Sequence, residues 1–326
     1  MAKRQDSKGT KKPLRQNGTA TNRVLRKEYD TTRGLALHGT FEEFLTSDYA
    51  KQYEGKVQLI FTSPPFPLNR KKKYGNLKGD KYVKWLADFA PQFRKLLKPN
   101  GSIVIELGNA WERGLPVMST LALRALLRFL TKGKFYLCQQ FVCYNPARLP
   151  SPAQWVNVKR IRVKDAFTHL WWMSPSPRPK ASNRRVLKEY SAAMERLLKR
   201  GTYNSGKRPS QHHIGKTSFL RNNRGAIPSN VLTVSNTRTG DSYQRFCKAH
   251  DYEPHPARMP EQVPSFFIRF LTQKGDVVVD PFAGSNTTGA VAEQLQRKWL
   301  AVETNADYLK ASKGRFVSNG KKPAGR

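Results

Sequence analysis

The chain of 326 residues is long enough for one large domain with an inserted lobe, or for two smaller domains. It has no apolar run of bilayer-spanning length, and its N-terminal segment lacks the apolar core of a signal peptide, so we expect a cytoplasmic protein without a membrane partner. Its three cysteines form no CxxC pair, which argues against a disulfide framework and a cysteine zinc site, and we expect no metal.

Basic residues dominate the composition. The chain carries 59 Lys and Arg against 23 Asp and Glu, a formal net charge of +36. Residues 1–27 contribute +8 and residues 313–326 contribute +5, which leaves +23 on the body. A body with this charge attracts polyanions, of which nucleic acid is the usual one. Charge alone does not distinguish DNA from RNA, or a binding surface from lysines that only confer solubility.

The N-terminal region begins with an unstructured arm. Residues 1–27 are polar and basic, and we predict that they are disordered, with order starting near Tyr29. A short strand is predicted at 35–38. Thr40 and Glu43 then form a capping-box pattern, which predicts the start of a short helix.

Strands and helices alternate through the rest of the first half. Residues 57–63 are a continuous apolar run, typical of a strand buried on both faces of a parallel sheet. Apolar residues at helical spacing predict a helix over 83–96, kinked at Pro91. A strand at 101–108 and a helix within 117–133 follow, and two β-rich runs lie at 135–145 and 166–174.

The C-terminal part repeats this alternation. We predict a helix in 263–275, a strand ending at Asp280, a glycine-containing turn, a helix from about residue 286, and a strand ending at Glu303. Together with the first half, this order predicts a doubly wound α/β sheet. The segment between the halves is different, because it is rich in Pro, Gly, Ser, Asn and Arg. Residues 146–259 carry 22 Lys and Arg against six acids, which predicts a loop-rich basic lobe.

Two loops of this sheet carry candidate chemistry. The first follows the strand ending at Asp280 and leads into a helix N-terminus, a corner that holds nucleotide-like ligands. It is not GxGxxG and has no P-loop lysine, so a neutral adenosine fits better than a polyphosphate. Glu303 lies about twenty residues further, where an acidic residue accepts from ribose hydroxyls. Each feature by itself is also compatible with ordinary α/β architecture.

The second loop is the turn Ser63-Pro64-Pro65-Phe66. Its prolines end the strand at the sheet edge where ligands of open α/β sheets bind. The Ser63 hydroxyl and the carbonyls of Ser63 and Pro64 would accept hydrogen bonds, and the Phe66 ring would stack. This set suits a flat heterocycle with an exocyclic amine. A proline-rich turn with a buried phenylalanine explains the spacing equally well.

These motifs identify a family resemblance. "TSPPF" at 62–66 and "DPFAGSNTTG" at 280–289 resemble the catalytic and S-adenosyl-L-methionine (AdoMet) motifs of the β group of DNA amino-methyltransferases, in that order, and "HPARMPEQVPSFFIRFLT" at 255–272 resembles the segment before the cofactor strand. The SPPF form points to cytosine-N4 methylation. Over roughly residues 35–312 the likeness is closer still to PvuII-type modification methyltransferases of restriction–modification systems.

The resemblance implies an AdoMet-dependent methyltransferase fold, a Rossmann-like doubly wound α/β sheet with circularly permuted motif order and an inserted target-recognition lobe. The implied domains are a basic arm at 1–27, a catalytic half at 28–173, the lobe at 174–254, an AdoMet-binding half at 255–312 and a basic tail at 313–326. It further implies a prokaryotic or phage protein associated with the nucleoid, double-stranded DNA as substrate, and a functional pairing with a restriction endonuclease.

The implied site residues fall into three groups. The catalytic residues are Ser63, Pro64, Pro65 and Phe66. The cofactor-binding residues are Asp280, Pro281, Phe282, Gly284, Ser285, Asn286, Thr287 and Glu303, with His255 and Pro256 on the methionine side. The candidate DNA contacts are the basic residues Arg70, Lys71, Lys72, Lys73, Lys159, Arg160 and Arg162.

The implied reaction is attack of the cytosine N4 amine on the AdoMet methyl group, with the base flipped out of the duplex onto Phe66. Methylation at cytosine C5 would need a cysteine nucleophile, usually after a proline, and the chain has no Pro-Cys pair. Three alternatives remain at this level: an adenine-N6 enzyme on the same scaffold, a non-catalytic basic DNA-binding protein, and an enzyme acting on RNA.

Overall fold

A computed structural model describes residues 25–66, 77, 79–235 and 240–316 of the chain. The strands in these ranges are β1 (Arg26–Asp30), β2 (Gly34–His38), β3 (Val57–Thr62), β4 (Leu97–Gly108), β5 (Tyr136–Tyr144), β6 (Phe167–Ser174), β7 (Gly206–Lys207), β8 (His213–Ile214), β9 (Val231–Thr233), β10 (Val277–Asp280) and β11 (Lys298–Glu303).

The α-helices in the same ranges are α1 (Phe41–Thr46), α2 (Asp48–Tyr53), α3 (Gly79–Asp88), α4 (Ala90–Leu96), α5 (Leu121–Gly133), α6 (Ala192–Arg200), α7 (Ser242–Ala249), α8 (Gln262–Leu271), α9 (Thr287–Gln294) and α10 (Ala306–Ser312). A π-helical turn spans Gln154–Val158, and 3-10 turns span Asn183–Arg185 and Lys313–Arg315. None of these helices combines the length and the apolar character needed to cross a membrane.

Nine strands form one sheet in the order β1-β2-β11-β10-β3-β4-β6-β5-β9. The central five, from β2 to β4, are mutually parallel, whereas β6 runs antiparallel to both of its neighbours. β10 and β3, the strands that precede the two motif loops, are adjacent, with Val278 opposite Leu59 and Val279 opposite Ile60. This register brings the carboxyl ends of the two strands, and therefore the two motif loops, to the same place on the sheet.

Helices cover both faces of the sheet, as the predicted doubly wound fold requires. Ile60 of β3 packs into a core with α1, α3, α4 and α5, whereas Leu59 and Phe61 pack on the other face against α8 and α9. Every residue of β3 is buried, including Gln58 and Thr62, which explains why its apolar residues do not alternate with exposed polar ones. The predicted α/β class is confirmed.

The local sequence predicted the start of α1 correctly, but the helix predicted over 83–96 differs from the structure. Thr40 and Glu43 form both hydrogen bonds of the predicted capping box. The helix predicted over 83–96 is instead two helices that meet near Phe89. Pro91 lies in the first turn of the second helix, where its missing N–H costs nothing, so the chain breaks there and does not merely kink.

The middle segment is less separate than its composition indicates. β9, which belongs to the predicted lobe at 174–254, pairs in parallel with β5 and forms one edge of the main sheet. Lys180 of the same segment forms an ion pair of 2.7 Å with Asp276, and Arg185 donates to the Phe270 carbonyl at the end of α8. Both ends of the segment are thus attached to the sheet domain, while β7, β8 and α6 project from it.

Candidate active site

The two motif loops line one cavity of about 460 Å³ at the carboxyl ends of β3 and β10. From the first loop it takes Ser63, Pro64, Pro65 and Phe66, and from the second Asp280, Phe282, Gly284, Ser285 and Thr287. Glu303, His255 and Pro256 lie in the same wall. The predicted catalytic and cofactor residues are therefore neighbours in space although some 215 residues separate the loops.

Asp280 ties the two loops together. Its Oδ1 accepts from the Thr62 hydroxyl at 2.8 Å and from the Phe282 N–H at 3.2 Å, and its Oδ2 accepts from the Thr288 hydroxyl at 2.7 Å. Burial raises the pKa of this carboxyl to about 6, despite the hydrogen bonds that favour its charged form. Thr62 directly precedes Ser63, so Asp280 links the catalytic strand to the cofactor loop.

Glu303, at the end of β11, closes the other side of the cofactor loop. Its Oε2 accepts from the Gly284 N–H at 2.7 Å, and its Oε1 accepts from the Asn305 N–H at 2.8 Å. Burial raises the pKa of this carboxyl as well. Oε1 also accepts from the Thr304 hydroxyl at 3.3 Å, so the free lone pair is on Oε2, which can still accept from a hydroxyl of a bound ligand.

Gly284 lets the loop pass close to His255. Its φ is +52°, in the left-handed region, and a Cβ placed there would stand 3.1 Å from His255 Nε2. The imidazole also packs edge-on against Tyr308, with ring centroids 4.6 Å apart. Burial lowers the pKa of His255 to about 4, so the ring is neutral at pH 7.

Two of the predicted cofactor residues, Pro281 and Asn286, are not among the residues that line the cavity. Asn286 caps α9: its Oδ1 accepts from the Gly289 N–H at 3.0 Å, and its amide donates to the Tyr29 hydroxyl at 2.9 Å. Asn286 is fully buried, and these bonds fix the start of α9. Its contact with a cofactor stays a prediction.

The catalytic turn contacts a carboxylate that the motif analysis missed. Glu106, near the end of β4, accepts a hydrogen bond from the Thr168 hydroxyl at 2.8 Å and another from the Ser63 hydroxyl. Burial raises the pKa of Glu106, while the two hydroxyls favour its charged form. When Ser63 donates its proton to Glu106, both lone pairs of its oxygen face away from the carboxylate and are free to accept.

Phe66 lies directly over Gly108, the last residue of β4. A Cβ at Gly108 would stand 2.6 Å from the Phe66 ring, so only glycine leaves room for the ring in this position. The ring is half-buried against the core and borders the cavity. The ring therefore borders the cavity where the motif predicted a stacking surface, and its role as that surface stays a prediction.

Further cavity residues come from the loop between β5 and β6. Asn145 and Arg148 line the cavity beside Glu106 and Thr168. None of these four side chains was singled out from the sequence. Glu106 had a usable signal, since an acidic residue near the carboxyl end of an otherwise apolar buried strand requires a reason to be there.

Arg315, from the C-terminal end of the described chain, donates hydrogen bonds to the cofactor loop. Its side chain is 4% exposed, and it donates to the Ser285 carbonyl at 2.6 Å and to the Ser285 hydroxyl at 2.9 Å. The guanidinium carbon stands 4.7 Å from the centre of the Tyr243 ring, a cation–π geometry. It lies in the 3-10 turn after α10, at the start of what composition alone marks as a basic tail.

The residues predicted to contact DNA differ in their surroundings. Arg70, Lys71, Lys72 and Lys73 lie outside the described residues. Lys159 and Arg160 are exposed in the rim loop, residues 145–166. Arg162 is engaged within the protein: it pairs with Asp165 at 3.2 Å and donates to the Pro116 carbonyl at 3.1 Å. Its guanidinium therefore holds the rim loop in place.

Titratable groups of the described ranges form no cluster of three or more His, Cys, Asp or Glu suited to a metal ion. Cys143 and Cys247 are buried, and burial raises the pKa of the Cys143 thiol to about 11. A thiol with this pKa is protonated at pH 7 and is a poor nucleophile. The polar groups that line the cavity are carboxylates, hydroxyls, the Asn145 amide, the His255 imidazole and the guanidinium groups of Arg148 and Arg258.

Comparison with known proteins gives a consistent result. Residues 57–314 match a family model described as DNA methylase. The type II methyltransferase M.PvuII from Proteus hauseri is 43% identical over 293 residues, which cover 89% of this chain and 86% of that protein. The DNA adenine methyltransferase YhdJ from Escherichia coli is 26% identical and covers 78% of this chain and 74% of its own length.

Solved structures show the same relationship. PvuII DNA methyltransferase, described as cytosine-N4-specific, superposes with a TM-score of 0.71 at 38% identity, over 89% of each chain. A DNA modification methylase of Thermus thermophilus, TTHA0409, solved with S-adenosyl-L-methionine, superposes with a TM-score of 0.52 at 20% identity, over 88% of this chain and 93% of that one. At this lower identity the likeness concerns the fold alone.

Proposed function

Because this chain belongs to the DNA methylase family, we propose that it transfers a methyl group from S-adenosyl-L-methionine to the exocyclic N4 amine of cytosine in double-stranded DNA. The observation that carries the proposal is the shared cavity, in which the Ser63 turn and the Asp280 loop face each other. If the catalytic motif and the cofactor motif lay far apart in the fold, methyl transfer between their ligands would not be possible.

The residues of the cavity fit the cofactor. AdoMet is a cation at its sulfonium, and the buried Asp280 and the half-buried Glu303 are two carboxylates in the same wall. Glu303 Oε2 retains a lone pair for a ribose hydroxyl, and the left-handed Gly284 leaves space beside the neutral His255 ring. When bound, the cofactor supplies an electrophilic methyl group. We assign its binding to Asp280, Phe282, Gly284, Ser285, Thr287 and Glu303, with His255 and Pro256 beside them.

In the proposed mechanism Ser63 and Glu106 make the amine nucleophilic. The lone pair of a cytosine amine is delocalised into the ring. Ser63 Oγ, whose proton is held by Glu106, accepts one N–H of the amine, and the Pro64 carbonyl accepts the other. These bonds favour a pyramidal nitrogen with its lone pair available. The surplus proton of the methylated amine passes to Ser63 Oγ as the Ser63 proton passes to Glu106, whose raised pKa suits a proton acceptor.

Phe66 positions the target base. Its ring, seated on Gly108, offers a stacking surface beside Ser63 in the cavity wall. A base that is paired inside a duplex cannot reach such a site. The cytosine therefore enters flipped out of the helix. Exposed Lys159 and Arg160 in the rim loop are suited to contact phosphates near the entrance, and we assign the same role to Arg70, Lys71, Lys72 and Lys73.

Two features favour cytosine over adenine. The relative described as cytosine-N4-specific is 38% identical in its solved structure, whereas the adenine-specific relative is 26% identical. In addition, the motif begins with Ser63, and the Asn or Asp that the resemblance associates with other amino-methyltransferases is absent from this position. We further propose that the projecting part of the segment 174–254 reads the target sequence, and that a restriction endonuclease cuts the same sequence when it is unmethylated.

The test is expression of the chain in cells that lack DNA methylation. Nucleosides from digested DNA are separated and identified by mass, and N4-methylcytosine is the expected product. N6-methyladenine in its place would refute the cytosine assignment. The absence of any methylated nucleoside would refute the proposed enzymatic activity. Ser63→Ala is the matched control, which should abolish most of the product. Mapping the modified positions then gives the target sequence and shows whether DNA carrying it resists a candidate endonuclease.

A further inference from the structure

The rim loop exposes apolar side chains beside the proposed entrance to the cavity. Leu149, Val158, Ile161 and Val163 are all exposed, and Val163 is the most exposed of them at 87%. Scattered exposed apolar residues are ordinary, but four within one loop of 22 residues call for a partner that covers them.

The loop is rooted at the cavity. It leaves β5 and returns along β6 at the sheet end where β4 finishes, since Gly108 lies opposite Thr168. Asn145 and Arg148, at its start, line the cavity. Asn145 N–H donates to the Ala166 carbonyl at 2.7 Å, which closes the base of the loop. A ligand in the cavity therefore lies next to the start of this loop.

Val163 is held in position by its neighbours. On one side, Arg162 pairs with Asp165 and donates to the Pro116 carbonyl. On the other, the Lys164 ammonium donates to the carbonyls of Pro146 at 3.2 Å and Arg148 at 3.3 Å. The two flanking side chains are tied to the protein, while the valine between them projects into solvent. An apolar side chain that is both rigid and exposed is suited to insertion into a partner.

The charge of the loop identifies the partner. Residues 145–166 carry five basic residues, Arg148, Lys159, Arg160, Arg162 and Lys164, and one acid, Asp165. Apolar protein partners rarely seek such a surface, whereas DNA offers both a polyanionic backbone and, between its bases, an apolar stack.

We propose that Val163 is a wedge that enters the base stack and fills the space left by the flipped cytosine. This inference rests on the proposed function. Flipping a base costs stacking and pairing energy, and a side chain in the vacated position prevents the base from returning. Val163 is thus a positioning residue: it acts on the duplex and does not touch the reacting atoms.

The experiment compares two duplexes that carry the mapped target sequence. One is fully paired, and the other has the target cytosine opposite an abasic site, so that it is already unpaired. Single-turnover methylation is measured for the wild type and for Val163→Ala. We expect the substitution to slow methylation of the paired duplex at least tenfold, about 1.4 kcal/mol, and that of the unpaired duplex less than twofold.

Two further variants make the result decisive. Val163→Ile keeps an apolar wedge and should methylate the paired duplex at close to the wild-type rate. Leu127→Ala removes a side chain that is 63% exposed on α5, outside the rim loop, and should change neither rate. A fluorescent cytosine analogue at the target position should brighten on binding to the wild type, and much less with Val163→Ala.

The outcomes separate the two proposals. Equal slowing of both duplexes by Val163→Ala, or no slowing of either, would overturn the wedge. The second result would instead assign the apolar rim to a different partner, such as a protein. If the wild type methylates neither duplex, the proposed function itself fails. If the wild type methylates both duplexes and Val163→Ala does not slow the paired duplex selectively, the wedge is overturned and the proposed function stands.

Discussion

Replacing Arg315 with methionine should loosen the cofactor loop from a position outside both motifs. The guanidinium makes two hydrogen bonds to Ser285, at 2.6 and 2.9 Å, and is 4% exposed. Arginine remains charged in proteins, so these are charge-assisted bonds. Methionine fills a similar volume but cannot donate, and the Ser285 carbonyl, in a residue that is itself 4% exposed, loses its partner.

The magnitude follows from these contacts. A hydrogen bond to a charged group contributes about 1.5–3 kcal/mol, and two of them give about 3–6 kcal/mol. Burial of the charged guanidinium costs free energy, as the lowered pKa of Arg315 indicates. The substitution removes this cost, which offsets part of the loss of the two hydrogen bonds. The pair with the partly exposed Glu261, at 3.6 Å, adds little. We expect a net loss of about 2–4 kcal/mol.

Thermal unfolding and AdoMet titration calorimetry provide the assay. At about 2–4 °C per kcal/mol, the melting temperature should fall by roughly 5–15 °C, and AdoMet affinity at 20 °C should fall at least tenfold. Lys51→Met is the control, since Lys51 forms only an exposed pair with Asp48 and should change neither value. A melting temperature within 2 °C of the wild type would refute the energetic reasoning. A large fall in melting temperature with unchanged AdoMet affinity would refute the role of Arg315 in positioning the loop.

Three other predictions concern the cavity. Ser63→Ala should lower kcat about a hundredfold with AdoMet affinity unchanged in calorimetry, since it removes one acceptor for the amine; a wild-type kcat would contradict the mechanism. Gly108→Ala should displace Phe66 and lower kcat about tenfold in single-turnover assays, and an unchanged rate would show that the ring does not support the base. The raised pKa of Asp280, about 6 against 3.8 in the unfolded chain, makes its contribution to the free energy of unfolding fall by up to about 3 kcal/mol as pH rises from 4 to 6. Urea unfolding between pH 4 and 7 should show a flatter pH dependence for Asp280→Asn, and identical slopes would contradict the assignment.

Adjacent residues carried enough information for much of the fold. β3 was recognisable because both of its faces are buried, which favours a mostly apolar sequence without alternation. The start of α1 was recognisable because the capping bonds of Thr40 and Glu43 join residues three apart. The two motif loops were recognisable for the same reason: each is a short local sequence, and parallel strands deliver their carboxyl ends to one edge of the sheet.

Interactions between distant residues were decided only by the tertiary structure. Glu106, Thr168 and Ser63 meet because β3, β4 and β6 are neighbours in the sheet, and no local pattern records the β4–β6 pairing. β9 lies in a polar, loop-like stretch and becomes a strand only because β5 offers an edge to pair with. Composition assigned Arg315 to a basic tail, yet it is buried beneath Ser285, because burial of a charge depends on partners that lie far away in the chain.

The sequence by itself therefore determined the class of fold, the order of its motifs and the residues of the two loops that face the cavity, since these depend on neighbours a few positions apart. The tertiary structure decided which carboxylate holds the Ser63 proton, which arginine supports the cofactor loop and which valine stands exposed at the entrance. The physical reason is that each of these depends on contacts between side chains brought together by the pairing of strands, and strand pairing is not a local property of the chain.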